Sequence, residues 1–209
     1  MIISTEHVKE KRGRGRPPGT TKGGQTRYLT ESELQAFFKV ANRSRRDSLL
    51  FNLILFFGLR SKEAAELKLE NFDLRDLKVE IKAAKKGLKR DYVEVPDEIW
   101  RKLKDYLKVR KAHPLNPHLF PSRSDVRGHM TPIGIQMLFK RTCIKAGLVA
   151  HSVHDLRHTK GRELAMLNLG AYRIARYLRQ RSPASADRYV DLKDDRAADV
   201  EVFNKAKVY

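Results

Sequence analysis

The sequence predicts a mainly α-helical fold carrying one small antiparallel β-sheet, an α+β class. Apolar residues recur at helical spacing through most of residues 30–178, and cap signals stand where those runs begin. The period drops to two in one place only, between Leu77 and Val95.

Taken in chain order, Thr30-Glu31-Ser32-Glu33 is a capping-box pattern opening a helix whose apolar side is Leu34, Phe37 and Phe38. Residues 48–57 are apolar nearly all round, which predicts a buried helix, and Gly58 stops it. Ser61 can cap the next helix, with Glu63 favourable in its first turn. Leu77, Val79 and Ile81 alternate with polar residues, and residues 92–95 answer them across a turn at 85–90, so a hairpin with a basic tip is expected. Ile99, Trp100, Leu103 and Leu107 restore helical spacing over 97–111. A Pro-rich loop, 114–121, ends at Leu119-Phe120-Pro121-Ser122. Thr131 followed by Pro132 marks a helix start, and Gly147 its end. Two more helices are predicted over 156–169 and 172–178, with Tyr189 near a short helix or turn.

The 209 residues suffice for one sizeable domain plus an arm. Forty-four Lys and Arg against 25 Asp and Glu give a net charge of +19. Such an excess attracts a polyanion, nucleic acid first. No stretch is long and apolar enough to span a bilayer, and the amino terminus has charge where a signal peptide needs an apolar core. One cysteine, Cys143, excludes an internal disulfide and a Cys-based zinc cluster, and sits on an apolar helical stripe with Ile135, Leu138 and Phe139, where packing is its expected role. An intracellular, cytoplasmic and nucleoid-associated setting is expected. Residues 1–27 are rich in Lys, Arg, Gly and Pro and carry +5, leaving +14 on the rest. They are expected to form a disordered basic arm in which Arg14-Gly15-Arg16-Pro17 resembles the core of an AT-hook. The alternative is a tail that adds affinity by counterion release.

Arg60, Lys86, His154, Arg157 and Tyr189 follow one another as the parts of a metal-independent phosphodiester centre would. A phosphodiester in displacement gains charge on its non-bridging oxygens, and the planar, permanently charged fork of arginine suits them. His154 and Arg157, three apart, share a helix face. Histidine can donate to the same oxygens or move a proton near neutral pH. A lysine at the hairpin tip could protonate the leaving oxygen. Lys85, Lys86 and Lys89 compete for that place, or form a solvated turn. Tyr172 and Tyr177 are rivals to Tyr189 on paper, but fall on a helix where packing is expected. His154 and Arg157 could also be a helix-start ion group with Asp155. The other histidines lack ligand spacing, so no metal and no cofactor is expected.

The motifs GLRSKEAAELKLENFDL, KKGLKRDYVEVP, HLFPS, HDLRHT and YLRQRSPASADRY resemble, in that order, the tyrosine recombinase (phage integrase) family, specifically its catalytic domain. The resemblance covers roughly residues 28–195. It implies that Arg60 and Arg157 are the two catalytic arginines, Lys86 the hairpin lysine, His154 the histidine between them and Tyr189 the nucleophile. Glu63 would support the first arginine and His158 would stand behind the reacting groups. Arg14, Arg16, Lys85, Lys89, Arg179 and Arg181 are the expected DNA contacts.

Three departures accompany it. Where the family usually has Leu-Gly-His, this chain has Leu178-Arg179-Gln180, so Gln180 takes the place of a phosphate-donating histidine. Its amide can donate but cannot carry a proton. After HDLRHT come Lys160 and Gly161, where the family more often has an aromatic and a small residue. The usual helical amino-terminal domain is also expected to be missing.

The resemblance implies a site-specific recombinase that cleaves and rejoins DNA through a 3′-phosphotyrosyl intermediate, in integration, excision or inversion. Its partners would be double-stranded DNA at a specific site and further copies of itself, up to a tetramer, with residues 196–209 a tail open to exchange between protomers. An accessory DNA-binding protein is a further candidate partner. A mobile-element origin follows from the family. The alternatives are a catalytically weakened or inactive DNA-binding protein of the same fold, and a type IB topoisomerase acting alone.

Overall fold

The computed structural model describes residues 27–73, 75–81, 91–148 and 151–194. Helices dominate, as the spacing predicts, and among the described residues three short strands form one small antiparallel sheet. Most of the arm, the hairpin tip with Lys85, Lys86 and Lys89, and the 196–209 tail lie outside the described residues.

Helix α1 (Glu31–Ala41) begins at the expected capping box: the Glu33 backbone N–H donates to the Thr30 hydroxyl, and the Thr30 N–H to the Glu33 carboxylate. Helix α2 (Arg45–Phe57) starts earlier than the apolar run alone implies, because Ser44 caps it. Nine of its residues are buried, and it packs against α1, α4 and α6. Phe37, Phe51 and Phe139 cluster with ring centroids 4.9–5.8 Å apart, joining α1, α2 and α5.

Helix α3 (Ser61–Ala65) corrects one expectation. Its cap position is Arg60 rather than Ser61, and the Glu63 carboxylate accepts from the Arg60 backbone N–H at 2.9 Å. The sheet runs β1 (Phe72–Asp73), β2 (Lys78–Ile81), β3 (Asp91–Glu94), with Val79 opposite Val93. The alternation that reveals β2 and β3 is absent from the two-residue β1. Helix α4 (Asp97–Leu107) buries Ile99, Trp100 and Leu103. The loop before α5 is pinned where Tyr106 donates its hydroxyl proton to the Leu119 carbonyl.

Thr131 caps α5 (Pro132–Lys145), which buries Cys143 with Ile135 and Phe139, and burial pushes the Cys143 thiol up to about 12. Helix α6 (Val153–Met166) starts three residues before its predicted first residue. Asp155 folds back to accept from the Ser152 backbone N–H and hydroxyl, so it serves the helix cap rather than an ion pair with Arg157. His151 bridges Asp155 to Glu33 of α1, at 3.2 Å on both sides. Helices α7 (Ala171–Tyr177) and α8 (Asp187–Asp194) pack on α6 around a second apolar cluster of Leu164, Ala165, Ile174, Ala175, Leu178, Ala186 and Tyr189. The main core, which reaches α6 through Val153 and Leu156, and this smaller second cluster therefore meet at α6, and Tyr189 is built into the second.

Candidate active site

The site forms where the C-terminal end of α2 meets the start of α6 and the loop after α7. Gly58 ends α2 with φ of 56°, a left-handed conformation that favours glycine. A β-carbon there would stand 2.4 Å from Leu178 Cδ2, so any larger residue would push the α7 loop away. The tight turn sets Arg60 at the edge of the buried helix.

Glu63 organises the basic groups. Its side chain is 0% exposed and its carboxylate lies 2.7 Å from the Arg60 guanidinium, 3.6 Å from Arg179 and 3.9 Å from Arg157. Three guanidiniums around one carboxylate leave a local excess of positive charge. That excess suits an incoming phosphodiester. Arg60, with 28% of its side chain exposed against 4% for Arg157, is the more open of the two predicted catalytic arginines. Its guanidinium also donates to the Arg179 carbonyl, at 3.3 Å. Arg157 donates to the Gly58 and Leu178 carbonyls. Burial first, then neighbouring Arg60, brings its pKa down to about 10, so it stays cationic at neutral pH.

Arg179 corrects the sequence reading. It is buried, not presented to DNA: it donates to the carbonyls of Tyr177, Phe57 and Gly58 at 2.7–3.2 Å. Its φ is 51°. The position where the resemblance expects glycine therefore keeps glycine's backbone conformation, at a cost of about 1–2 kcal/mol for an ordinary residue. The hydrogen bonds of the guanidinium offset that cost. Arg181, by contrast, is exposed.

Tyr189 is 1% exposed. Its ring lies directly on Gly161, where a β-carbon would come within 2.7–2.8 Å of three ring atoms. The departure at Gly161 thus has a steric reason, a slot that only glycine leaves open. The Tyr189 hydroxyl lies 2.8 Å from His158 Nδ1. Gln180 also acts on the phenol as a donor that lowers its pKa, and its Oε1 is buried with no hydrogen-bond partner. Burial pushes the Tyr189 pKa up, against the pull of Arg157, Arg188, the Gln180 bond and Arg60. His154 sits one turn away, its ring centroid 5.9 Å from that of His158, and is exposed. Desolvation of its ring, then Arg157 and Arg60, lowers its pKa.

The structure thus gathers Arg60, Glu63, His154, Arg157, His158, Gln180 and Tyr189. Lys86 and its rivals, with Arg14 and Arg16, lie outside the described residues. Tyr177 is packed, donating to the Phe56 carbonyl at 2.7 Å, whereas Tyr172, expected to pack, is exposed. Lys160 is buried beside Glu163 and over the Phe56 ring, which accounts for a lysine where an aromatic is usual. Sequence reasoning gave His158 a supporting place and missed its contact with the phenol. The i, i+4 spacing from His154 was the signal available. Among the described residues no helix is long and apolar enough to cross a membrane, and no group of three or more His, Cys, Asp or Glu could hold a metal ion.

The Phage integrase family matches residues 27–196. Tyrosine recombinase XerA of Pyrococcus horikoshii is 30% identical over 132 residues, covering 63% of this chain and 45% of that protein. The type 1 fimbriae regulatory protein FimB of Escherichia coli K12 is 27% identical over 164 residues, 74% of this chain and 79% of FimB. The chain therefore spans about half the length of the archaeal relative and most of FimB. Among solved structures, XerA recombinase superimposes with a TM-score of 0.69 at 24% identity, over 80% of this chain and 61% of that one. XerH site-specific recombinase bound to its palindromic difH substrate gives 0.70 at 23%, over 87% and 54%. With the family model matching residues 27–196 and the same fold in solved relatives, this chain belongs to the phage integrase family of tyrosine recombinases.

Proposed function

We propose that this protein is a site-specific DNA recombinase that cuts and rejoins double-stranded DNA through Tyr189. The observation that carries the reading is the meeting of a buried phenol with a net-positive arginine cluster around Glu63. Tyr189 Oη attacks the phosphorus, a 3′-phosphotyrosyl bond forms and the 5′ oxygen leaves, taking a proton from Lys86. Arg60 and Arg157 hold the non-bridging oxygens, with His154 beside them as a donor. The covalent link conserves the bond energy, so a 5′ hydroxyl of a partner strand can attack and restore the backbone without nucleotide or metal. Recombination joins two sites, so the protein works as an oligomer on DNA, up to a tetramer. The tail beyond residue 195 is a candidate for exchange between copies, and an accessory DNA-binding protein a candidate partner. The net charge of +19 supports an association with DNA and the nucleoid of the cytoplasm.

The test is covalent trapping. A library of nicked duplexes with randomised arms loses a short 5′-hydroxyl fragment on cleavage, which leaves the protein linked to DNA through a bond stable to detergent. Wild type should yield such adducts, Tyr189→Phe none, and sequencing the trapped DNA should return one site. Binding to the library with no adduct would leave a DNA-binding protein and refute the enzyme.

A further inference from the structure

We propose that His158, and not His154, accepts the phenolic proton of Tyr189 during cleavage and returns it during rejoining. The inference rests on the recombinase reading above and assigns a group that the reaction requires: a phenol cannot attack phosphorus and keep its proton.

Geometry separates the two histidines. His158 Nδ1 lies 2.8 Å from Tyr189 Oη, within the range over which a proton passes directly. His154 makes no hydrogen bond to the phenol, is exposed, and reaches Tyr189 only through the ring of His158. Gln180 acts on the phenol as a donor that lowers its pKa, so it does not compete with Nδ1 for the phenolic proton. Gly161 fixes the ring so that this contact is kept.

The surroundings keep the acceptor in its working form. Facing His158 are His154, Asp155 and Arg157 of its own helix and Tyr189 and Arg188 of α8. Partial burial first, then His154, outweighs Asp155 and brings the ring down to about 4, so the imidazole is neutral at neutral pH and its Nε2–H tautomer offers Nδ1 as the acceptor. A resting base this weak does not ionise the phenol in advance. Proton transfer then coincides with attack, as negative charge builds on the phosphate and favours an imidazolium beside it.

The step balances. The Oη–P bond forms, the phenolic proton moves to Nδ1, the P–O5′ bond breaks and the leaving oxygen takes its proton from Lys86. In rejoining, the incoming 5′ hydroxyl gives its proton back to the lysine and the departing phenolate recovers the proton held on His158. Gln180, where the family usually has a histidine, cannot take either part.

The test uses the full chain and the nicked substrate that wild type cleaves, in single turnover. His158→Asn places an amide oxygen near the former Nδ1, retaining a hydrogen-bond acceptor without a proton acceptor. His158→Asn and His158→Ala should both cleave about 10²- to 10⁴-fold more slowly while keeping DNA affinity. Added imidazole should restore His158→Ala, better with more basic imidazoles, and leave His154→Ala unchanged. Thermal melting reports whether each variant is folded. Wild-type cleavage by His158→Asn would make the residue a positioner and overturn the proposal. Faster cleavage by His158→Ala would make it a restraint on Tyr189 and overturn it equally, as would failure of every imidazole to rescue. If wild type itself forms no adduct, the recombinase reading fails and this inference falls with it. The two failures are therefore distinct.

Discussion

Gly161→Ala is the smallest change that reaches the nucleophile. Gly161 lies within α6 and has an ordinary helical backbone, so alanine alone would favour the helix by about 1 kcal/mol. The added methyl, however, meets Tyr189 Cζ at 2.7 Å and the two Cε atoms at 2.8 Å. Ordinary carbon contacts are about 3.5–4.0 Å, so the ring must retreat by roughly 1 Å. Overpacking of this kind costs about 1–3 kcal/mol, much of it cancelled by the helix gain, so the melting temperature should move only a few degrees. Activity should not be spared. A displacement of about 1 Å at a reacting atom costs on the order of 10²-fold in rate. Single-turnover adduct formation, measured beside thermal melting and DNA affinity, should show a large loss of cleavage with small changes in the other two. Cleavage at the wild-type rate would mean that Tyr189 leaves the slot over Gly161 before it attacks, and the geometric account of the nucleophile would be refuted.

Two further outcomes follow from the same contacts. Arg179→Ala removes charge-assisted bonds to buried carbonyls but keeps the left-handed backbone, and should cost about 2–4 kcal/mol in urea unfolding. Arg179→Gly loses the same bonds but relieves the backbone, and should be more stable than Arg179→Ala by about 1 kcal/mol; the reverse order would mean that φ at this position carries no cost. His158 supplies a pH dependence. Its pKa drops from 6.5 to about 4 on folding, so the unfolded chain binds its proton first and stability falls as pH drops through that window. Full development amounts to about 3 kcal/mol, reduced by the ring's partial contact with solvent. The loss of stability between pH 7 and pH 4.5 should therefore be smaller in His158→Asn than in wild type, and equal losses would remove the cause assigned here.

Much of the fold was legible because it rests on local rules. The Thr30 and Thr131 caps, the buried run of α2 and the alternation of β2 with β3 each depend on residues within a few positions. β1 escaped because two residues show no period, and Ser61 misled because a serine at a helix start is a stronger local signal than a carboxylate returning from Glu63. Order and context also single out Arg60, His154, Arg157 and Tyr189 as candidates, and the fold brings them into one neighbourhood.

Distance in the chain hid the rest. Whether an arginine meets DNA or a carbonyl depends on which segments lie beside it, so Arg179 reads as a surface cation until α2 and the α7 loop close over it. Glu63 reads as a neighbour of Arg60, three residues away, whereas it also faces Arg157 and Arg179 more than 90 positions on. The sequence by itself determined the helical class, the family and the polar set that can handle a phosphodiester. Only the tertiary structure decided which groups touch Tyr189, because α6 and α8 must pack before Gly161 becomes a slot and His158 a partner.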